Sequence, residues 1–192
     1  MVKEMSKKMS KVLVVNQIIE EQDDELYAYG FETFIITTFN VLSILIIALL
    51  TGKTGPSIAF LLTYCLTRQY SGGYHAKDYV RCYFTFIGMY IGILILNHYI
   101  MLQGYNTLLI LLLIVSIGII FIYAPLEHRN NPLNKKEKIR YKQKARVLSI
   151  GFGFTGGLAL FLPYLREYGL YIVAALVAIA SLLVIGHRKE EK

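Results

Sequence analysis

The chain has 192 residues, enough for one domain or two small ones. Hydrophobic residues make up 55% and charged residues 17%, with a mean hydropathy of +0.50. Ordinary soluble domains run about 45–50% apolar and about 25% charged, so composition excludes a soluble enzyme. The net charge of +7 would suit nucleic acid or anionic lipid. In so apolar a chain it reads as charge that orients a membrane protein, with no nucleic-acid partner.

Residues 1–30 read as an N-terminal amphipathic helix, with Met5, Met9, Val12, Ile19 and Leu26 near helical spacing. Lys3, Lys7, Lys8 and Lys11 come first and the acidic run Glu20-Glu21-Gln22-Asp23-Asp24-Glu25 follows. An interfacial anchor and a solvated lead-in helix both fit this pattern. A secretory signal is not expected, because no continuous apolar core with a small-residue cleavage site is present there.

Six apolar runs follow. Phe34 to Leu50 is the first span, closed by the turn-rich Thr51-Gly52-Lys53-Thr54-Gly55-Pro56. Ser57 to Thr67 is short, about 16 Å at the helical rise against a hydrocarbon layer of about 30 Å. Tyr83 to Leu102 and Leu108 to Tyr123 make the third and fourth, joined by Gln103-Gly104-Tyr105-Asn106. Ala124-Pro125 ends the fourth, and a basic loop runs to Arg146. Val147 to Leu165 and Leu170 to Ile185 form the last pair, hinged at Arg166-Glu167-Tyr168-Gly169. The expected fold is therefore an all-α integral membrane protein, one domain over 1–192 with a six-helix bundle over 34–185.

Charge sets the expected topology. With six crossings and both termini cytoplasmic, every basic residue except Lys53 and Arg166 falls on the cytoplasmic side. The loop Lys135-Lys136-Glu137-Lys138-Ile139-Arg140-Tyr141-Lys142-Gln143-Lys144-Ala145-Arg146 would then meet anionic membrane lipids, or an acidic peptide.

The polar interruption Arg68-Gln69-Tyr70-Ser71-Gly72-Gly73-Tyr74-His75-Ala76-Lys77-Asp78-Tyr79-Val80-Arg81-Cys82 gathers an imidazole, a thiol and two arginines at the expected cytoplasmic interface. On one continuous helix His75 and Cys82 would share a face yet stand about 10 Å apart along the axis. Proton transfer wants about 2.6–3.2 Å, so a catalytic pair requires a bend, which Gly72-Gly73 permits. Cys82 near a helix N-terminus, with Arg81 beside it, suits a thiolate nucleophile. His75 would activate it and protonate the leaving amine, Asp78 is a candidate to orient His75, and the Gly72 and Gly73 amides are candidate oxyanion donors. A loop histidine with a structural thiol fits the same spacing. Cys65, inside the second run, reads as a small hydrophobe filling the core. His98, His128 and His187 suggest no metal site, and no cofactor is implied.

The run Arg68 to Ala76 followed by Arg81-Cys82, with Ala124-Pro125-Leu126-Glu127 and Asn130-Asn131-Pro132, resembles the accessory gene regulator protein B (AgrB) family. The likeness extends over nearly the whole chain in length and span layout. It implies a cysteine endopeptidase of the cell membrane that processes an AgrD-like precursor peptide into a cyclic quorum-sensing signal, usually as a homodimer. It puts the catalytic pair on His75 and Cys82, and residues important to activity on Arg68 and Gly73. Against it stands a non-enzymatic scaffold or a small transporter. The near absence of charge within the spans weakens the transporter reading.

Overall fold

The structure, a computed structural model, describes residues 2–73, 79–103, 106–126 and 133–190. These form seven helices: α1 (Val2–Val15), α2 (Asp24–Leu50), α3 (Thr54–Ser71), α4 (Tyr79–Gln103), α5 (Asn106–Tyr123), α6 (Lys135–Ala159) and α7 (Arg166–Glu190). Three segments among the described residues are long and apolar enough to cross a membrane: Glu21–Leu50, Asn106–Tyr123 and Arg166–Arg188. Cys82–Asn97 is a shorter apolar stretch of the same kind.

The bundle is organised around α7, which packs on α3, α5 and α6. Its Ala175, Ala178 and Ala180 are buried, and small residues let neighbouring backbones approach where lipid supplies no hydrophobic push. Gly156 of α6 faces Ile172, and a Cβ on Gly169 would stand 2.7 Å from the Gly156 carbonyl oxygen, so the α6–α7 hairpin is closed on two glycines.

Polarity in α3 is turned inside out, and this explains its weak apolar signal. Ser57, Thr63, Thr67 and Ser71 are fully buried, whereas Ile58, Leu62 and Leu66 face outward. At 18 residues α3 is about 27 Å long, so flanking residues extend the short run expected from sequence. Pro56 falls in its first turn, where a missing N–H costs nothing, and the preceding turn sits on Gly52 at φ 68°. Cys65 is half-buried on α3 and free, rather than the core filler expected.

Four other boundaries differ from expectation. The N-terminal helix stops at Val15, the chain turns through Gln17 at φ 56°, and the acidic cluster leads into α2. α1 lies against α2 through buried Ser6 and Ser10, and Ser10 Oγ donates to the Asp24 carbonyl at 2.8 Å. Met5, Met9 and Val12 are left exposed on the opposite side. The basic segment Lys135 to Arg146 is helix rather than loop: Asn134 and Glu137 form a capping box that starts α6 there. The last turn falls at 160–165, around Pro163, and residues 166–169 already belong to α7.

The helix ends sort into two groups. At one end Lys53 pairs with Glu167 at 2.8 Å, Asn97 donates to the same carboxylate oxygen at 2.8 Å, and Arg166 Nε donates to Asn106 Oδ1 at 3.2 Å. At the other end α3 finishes beside the Ala124-Pro125-Leu126 segment, and the Tyr123 ring meets that of His187 at a tilt, 4.7 Å between centres. The two basic residues expected to stand apart from all others, Lys53 and Arg166, are thus together at the first end, each held by a polar partner.

Candidate active site

The second end holds those sequence-predicted site residues that are described. Ser71 closes α3 and is fully buried. Gly72 follows at φ 66°, ψ −147° and Gly73 at φ 123°, conformations that belong to glycine almost alone. The cause of this bend lies in two close approaches. Gly72 pairs with Leu126 in a short parallel bridge, with Leu126 N–H donating to the Ser71 carbonyl at 2.9 Å, and a Cβ on Gly72 would overlap the Leu126 carbonyl. A Cβ on Gly73 would overlap the Arg68 guanidinium.

Arg68 binds this bend from inside α3. Its Nη1 donates to the Gly72 carbonyl at 2.5 Å, while the Gly72 N–H donates back to the Arg68 carbonyl at 3.1 Å. That second bond uses the Gly72 amide, which corrects the expectation that both glycine amides would be oxyanion donors.

Cys82 is in the first described turn of α4, half-buried and not in a disulfide. The α3–α4 contact is a seam of aromatic rings in antiparallel register. Phe60 meets Tyr90 at 5.6 Å between ring centres, Tyr64 meets Phe86 at 4.7 Å, and the Ser57 and Tyr90 hydroxyls share a hydrogen bond at 2.5 Å. Cys82 is one turn before Phe86 and Arg68 one turn after Tyr64, so the thiol and the guanidinium stand at the same level of the seam. Tyr64 accordingly has both Arg68 and Cys82 within electrostatic reach of its hydroxyl.

A third wall comes from α6. Tyr70 packs edge-on against Tyr141 at 5.4 Å, and Lys144 Nζ lies 4.6 Å from the Tyr70 ring centre. The basic half of α6 thus abuts the residue next to Ser71. Of the predicted site residues, the structure brings Arg68, Ser71, Gly72, Gly73 and Cys82 to one end of the bundle. His75, with Asp78, lies outside the described residues, as does the Arg81 side chain. Sequence reasoning missed Tyr64, Tyr70 and the pairing with Leu126. Tyr64 and Tyr70 had a readable signal, since each is within one turn of Arg68.

A profile of accessory gene regulator B matches residues 6–185. The chain belongs to the AgrB family. An AgrB-like protein of Clostridium perfringens strain SM101 is 29% identical over 161 residues, covering 78% of this chain and 73% of that protein. A second, from Clostridium perfringens strain 13, is 26% identical over 173 residues, covering 85% and 79%. An AgrB-like protein of Listeria innocua is 26% identical over 187 residues, covering 93% and 86%. No solved structure matches the chain. Membership in the AgrB family gives the chain a peptidase family's background and accounts for its several apolar helices.

Proposed function

We propose that this chain is a membrane-embedded cysteine endopeptidase that cleaves an AgrD-like precursor peptide and cyclises the retained part through a thioester. The observation that carries this reading is the level of Cys82: half-exposed on α4's first described turn, opposite Arg68 and its glycine bend. Helix N–H groups, the helix dipole and a nearby guanidinium all favour thiolate over thiol.

The chemistry is acyl transfer. The Cys82 thiolate attacks a peptide carbonyl on the C-terminal side of the future ring. The tetrahedral oxyanion collapses, the C–N bond breaks, and His75 gives its proton to the departing amine. A thioester on Cys82 remains. The precursor's own thiol or hydroxyl loses its proton to His75 and attacks that thioester, which closes a thiolactone or lactone and frees the Cys82 sulfur. Thiol–thioester exchange conserves the bond type, so the thiolactone step requires no ATP. Ring closure has to outrun hydrolysis, and an apolar surround that limits water favours it.

Arg68 and Gly73 hold the bend on which His75 follows, and Ser71 fixes its start. The basic face of α6, joined to the site through Tyr70, is suited to an acidic C-terminal segment of the precursor. The reading includes six crossings with both termini in the cytoplasm, the site at the cytoplasmic interface, anionic lipids around the basic segments, and a homodimer as the assembly. The test is a mass-spectrometric assay of the Cys82→Ala variant with its cognate precursor. No C-terminal fragment should appear; normal cleavage would overturn the assignment.

A further inference from the structure

The seam between α3 and α4 keeps one register as it approaches the glycine bend. Phe60 faces Tyr90, Tyr64 faces Phe86, and the next pair at the same step is Arg68 with Cys82. Each step is one helical turn, about 5.4 Å along either helix. Tyr64 and Phe86 are thus the last aromatic pair before the thiol. The Tyr64 ring lies nearly parallel to that of Phe60 at 5.8 Å and tilted against Phe86 at 4.7 Å, which fixes it from two sides.

Packing accounts for this ring and leaves its hydroxyl unexplained. The neighbouring phenols on α4 are engaged: Tyr90 shares a hydrogen bond with Ser57 at 2.5 Å, and Tyr83 shares one with Ser43 at 2.9 Å. Among the described residues nothing accepts from the Tyr64 hydroxyl. The groups within its electrostatic reach are Arg68, Cys82 and Cys65; Tyr90, on the side of the ring away from the bend, is not one of them. The hydroxyl is therefore directed toward the level of Arg68 and Cys82. An unbonded hydroxyl brings nothing to an apolar seam that phenylalanine would not supply.

We infer that Tyr64 is a further catalytic residue, whose O–H donates a hydrogen bond to the Cys82 thiolate. The assignment rests on the reading of Cys82 as the nucleophile. A thiolate has three lone pairs, so it accepts from Tyr64 and still engages an imidazole. The phenol keeps its proton throughout, and proton transfer remains with His75. A hydrogen bond to an ionised acceptor is about twice as strong as one between neutral groups, so the donor favours thiolate over thiol. As the sulfur–carbon bond forms, negative charge passes to the carbonyl oxygen and the bond to sulfur weakens. Tyr64 thus raises the population of the nucleophile rather than its intrinsic reactivity.

The test uses the full chain in detergent, carrying Cys65→Ser so that Cys82 is the one thiol. Iodoacetamide alkylation is followed from about pH 6 to about pH 10, beside single-turnover cleavage of the cognate precursor. Tyr64→Phe should move the alkylation profile up by about one pH unit and slow cleavage near neutral pH by about tenfold. At high pH, where the sulfur is ionised in both proteins, its alkylation should equal or exceed that of the parent. A less stabilised thiolate is the better nucleophile. Both ring contacts survive in Tyr64→Phe, so its unfolding temperature should be unchanged. Tyr83→Phe removes a phenol hydroxyl beside Cys82 that is already bonded to Ser43, and should leave the profile in place. An unshifted profile in Tyr64→Phe, a loss of rate uniform with pH, or an equal shift from Tyr83→Phe would reduce Tyr64 to packing, with cleavage by Cys82 untouched. Normal cleavage by Cys82→Ala is a separate failure: it removes the nucleophile, and with it the acceptor this hydroxyl requires.

Discussion

Arg68 and Gly72 are bonded twice, once through the backbone and once through the side chain. The Gly72 N–H closes the last turn of α3 on the Arg68 carbonyl at 3.1 Å, and the guanidinium reaches past that turn to the Gly72 carbonyl at 2.5 Å. The guanidinium also fills the space where a side chain on Gly73 would be. The chain leaving α3 is thereby aimed in one direction before it reaches the segment that contains His75.

Replacement of the guanidinium tests that aiming. Arg68→Lys keeps the charge but loses the planar fork that spans to the Gly72 carbonyl. A charge-assisted hydrogen bond is worth about 1.5–3 kcal/mol, so processing by Arg68→Lys should fall by roughly 10- to 100-fold. The loss should appear in single-turnover cleavage with Cys82 still alkylatable. Wild-type rates in Arg68→Lys would mean that charge alone is at work.

The two glycines can be separated from glycines that serve no bend. Gly72→Ala and Gly73→Ala both place a Cβ at positive φ and into an occupied space, the Leu126 carbonyl in one case and the Arg68 guanidinium in the other. Strain of this kind costs about 1–3 kcal/mol each, before the collisions are counted. Gly88→Ala on α4, where a Cβ meets nothing within 4 Å, should be neutral or slightly stabilising. Thermal unfolding in detergent and the cleavage assay should both rank the variants in that order.

Much of this could be read from the chain, and the parts that could not have physical reasons. Apolar runs located α2, α4, α5 and α7, because lipid-facing residues such as Leu49, Ile95, Leu111 and Ile185 have to be apolar whatever the helix packs against. The start of α6 was misread because seven basic residues within 135–146 look like a loop. The capping pair Asn134 and Glu137 was the overlooked signal. α3 looked weak because its hydroxyls are spent on the interior. What the sequence shows of the candidate site is local, a thiol near a helix start and a flexible glycine pair, and not its assembly. The pairing of Gly72 with Leu126 joins distant segments that no periodicity connects.

Thiol reactivity separates an enzyme from a scaffold. Neither Cys65 nor Cys82 is in a disulfide and both are half-buried, so exposure alone predicts similar alkylation. Cys82 is in the first described turn of α4, level with Arg68 across the aromatic seam, whereas Cys65 is mid-helix on α3. Iodoacetamide near neutral pH should modify Cys82 about tenfold faster or more, as a helix N-terminus favours the attacking thiolate. Equal rates at the two cysteines would favour the scaffold.

The opposite end offers a stability test. Glu167 accepts from both Lys53 and Asn97 at 2.8 Å, which ties the α2–α3 turn and α4 to the start of α7. Glu167→Ala removes both partners' acceptor and leaves the side chain of Asn97, which is 4% exposed, without it. The cost should be about 1–3 kcal/mol, read as a lower unfolding temperature. Glu167→Gln retains a carbonyl for Asn97 and should lose less. Cysteine alkylation at the distant site should be unaffected in both.

Sidedness follows from the charge distribution and can be read in intact cells. If every basic segment except those of Lys53 and Arg166 is cytoplasmic, the 160–165 turn faces outward. Tyr164 there is 96% exposed, which makes Tyr164→Cys a suitable reporter in a chain carrying Cys65→Ser and Cys82→Ser. A membrane-impermeant maleimide added outside should label Tyr164→Cys at once. Lys136→Cys, exposed at the start of α6, should label only after the cells are permeabilised. The reverse pattern would put the Cys82 end outside, where a precursor made in the cytoplasm could not reach it. Labelling of both positions from outside would mean that α6 does not cross, and the six-crossing arrangement would fall with it.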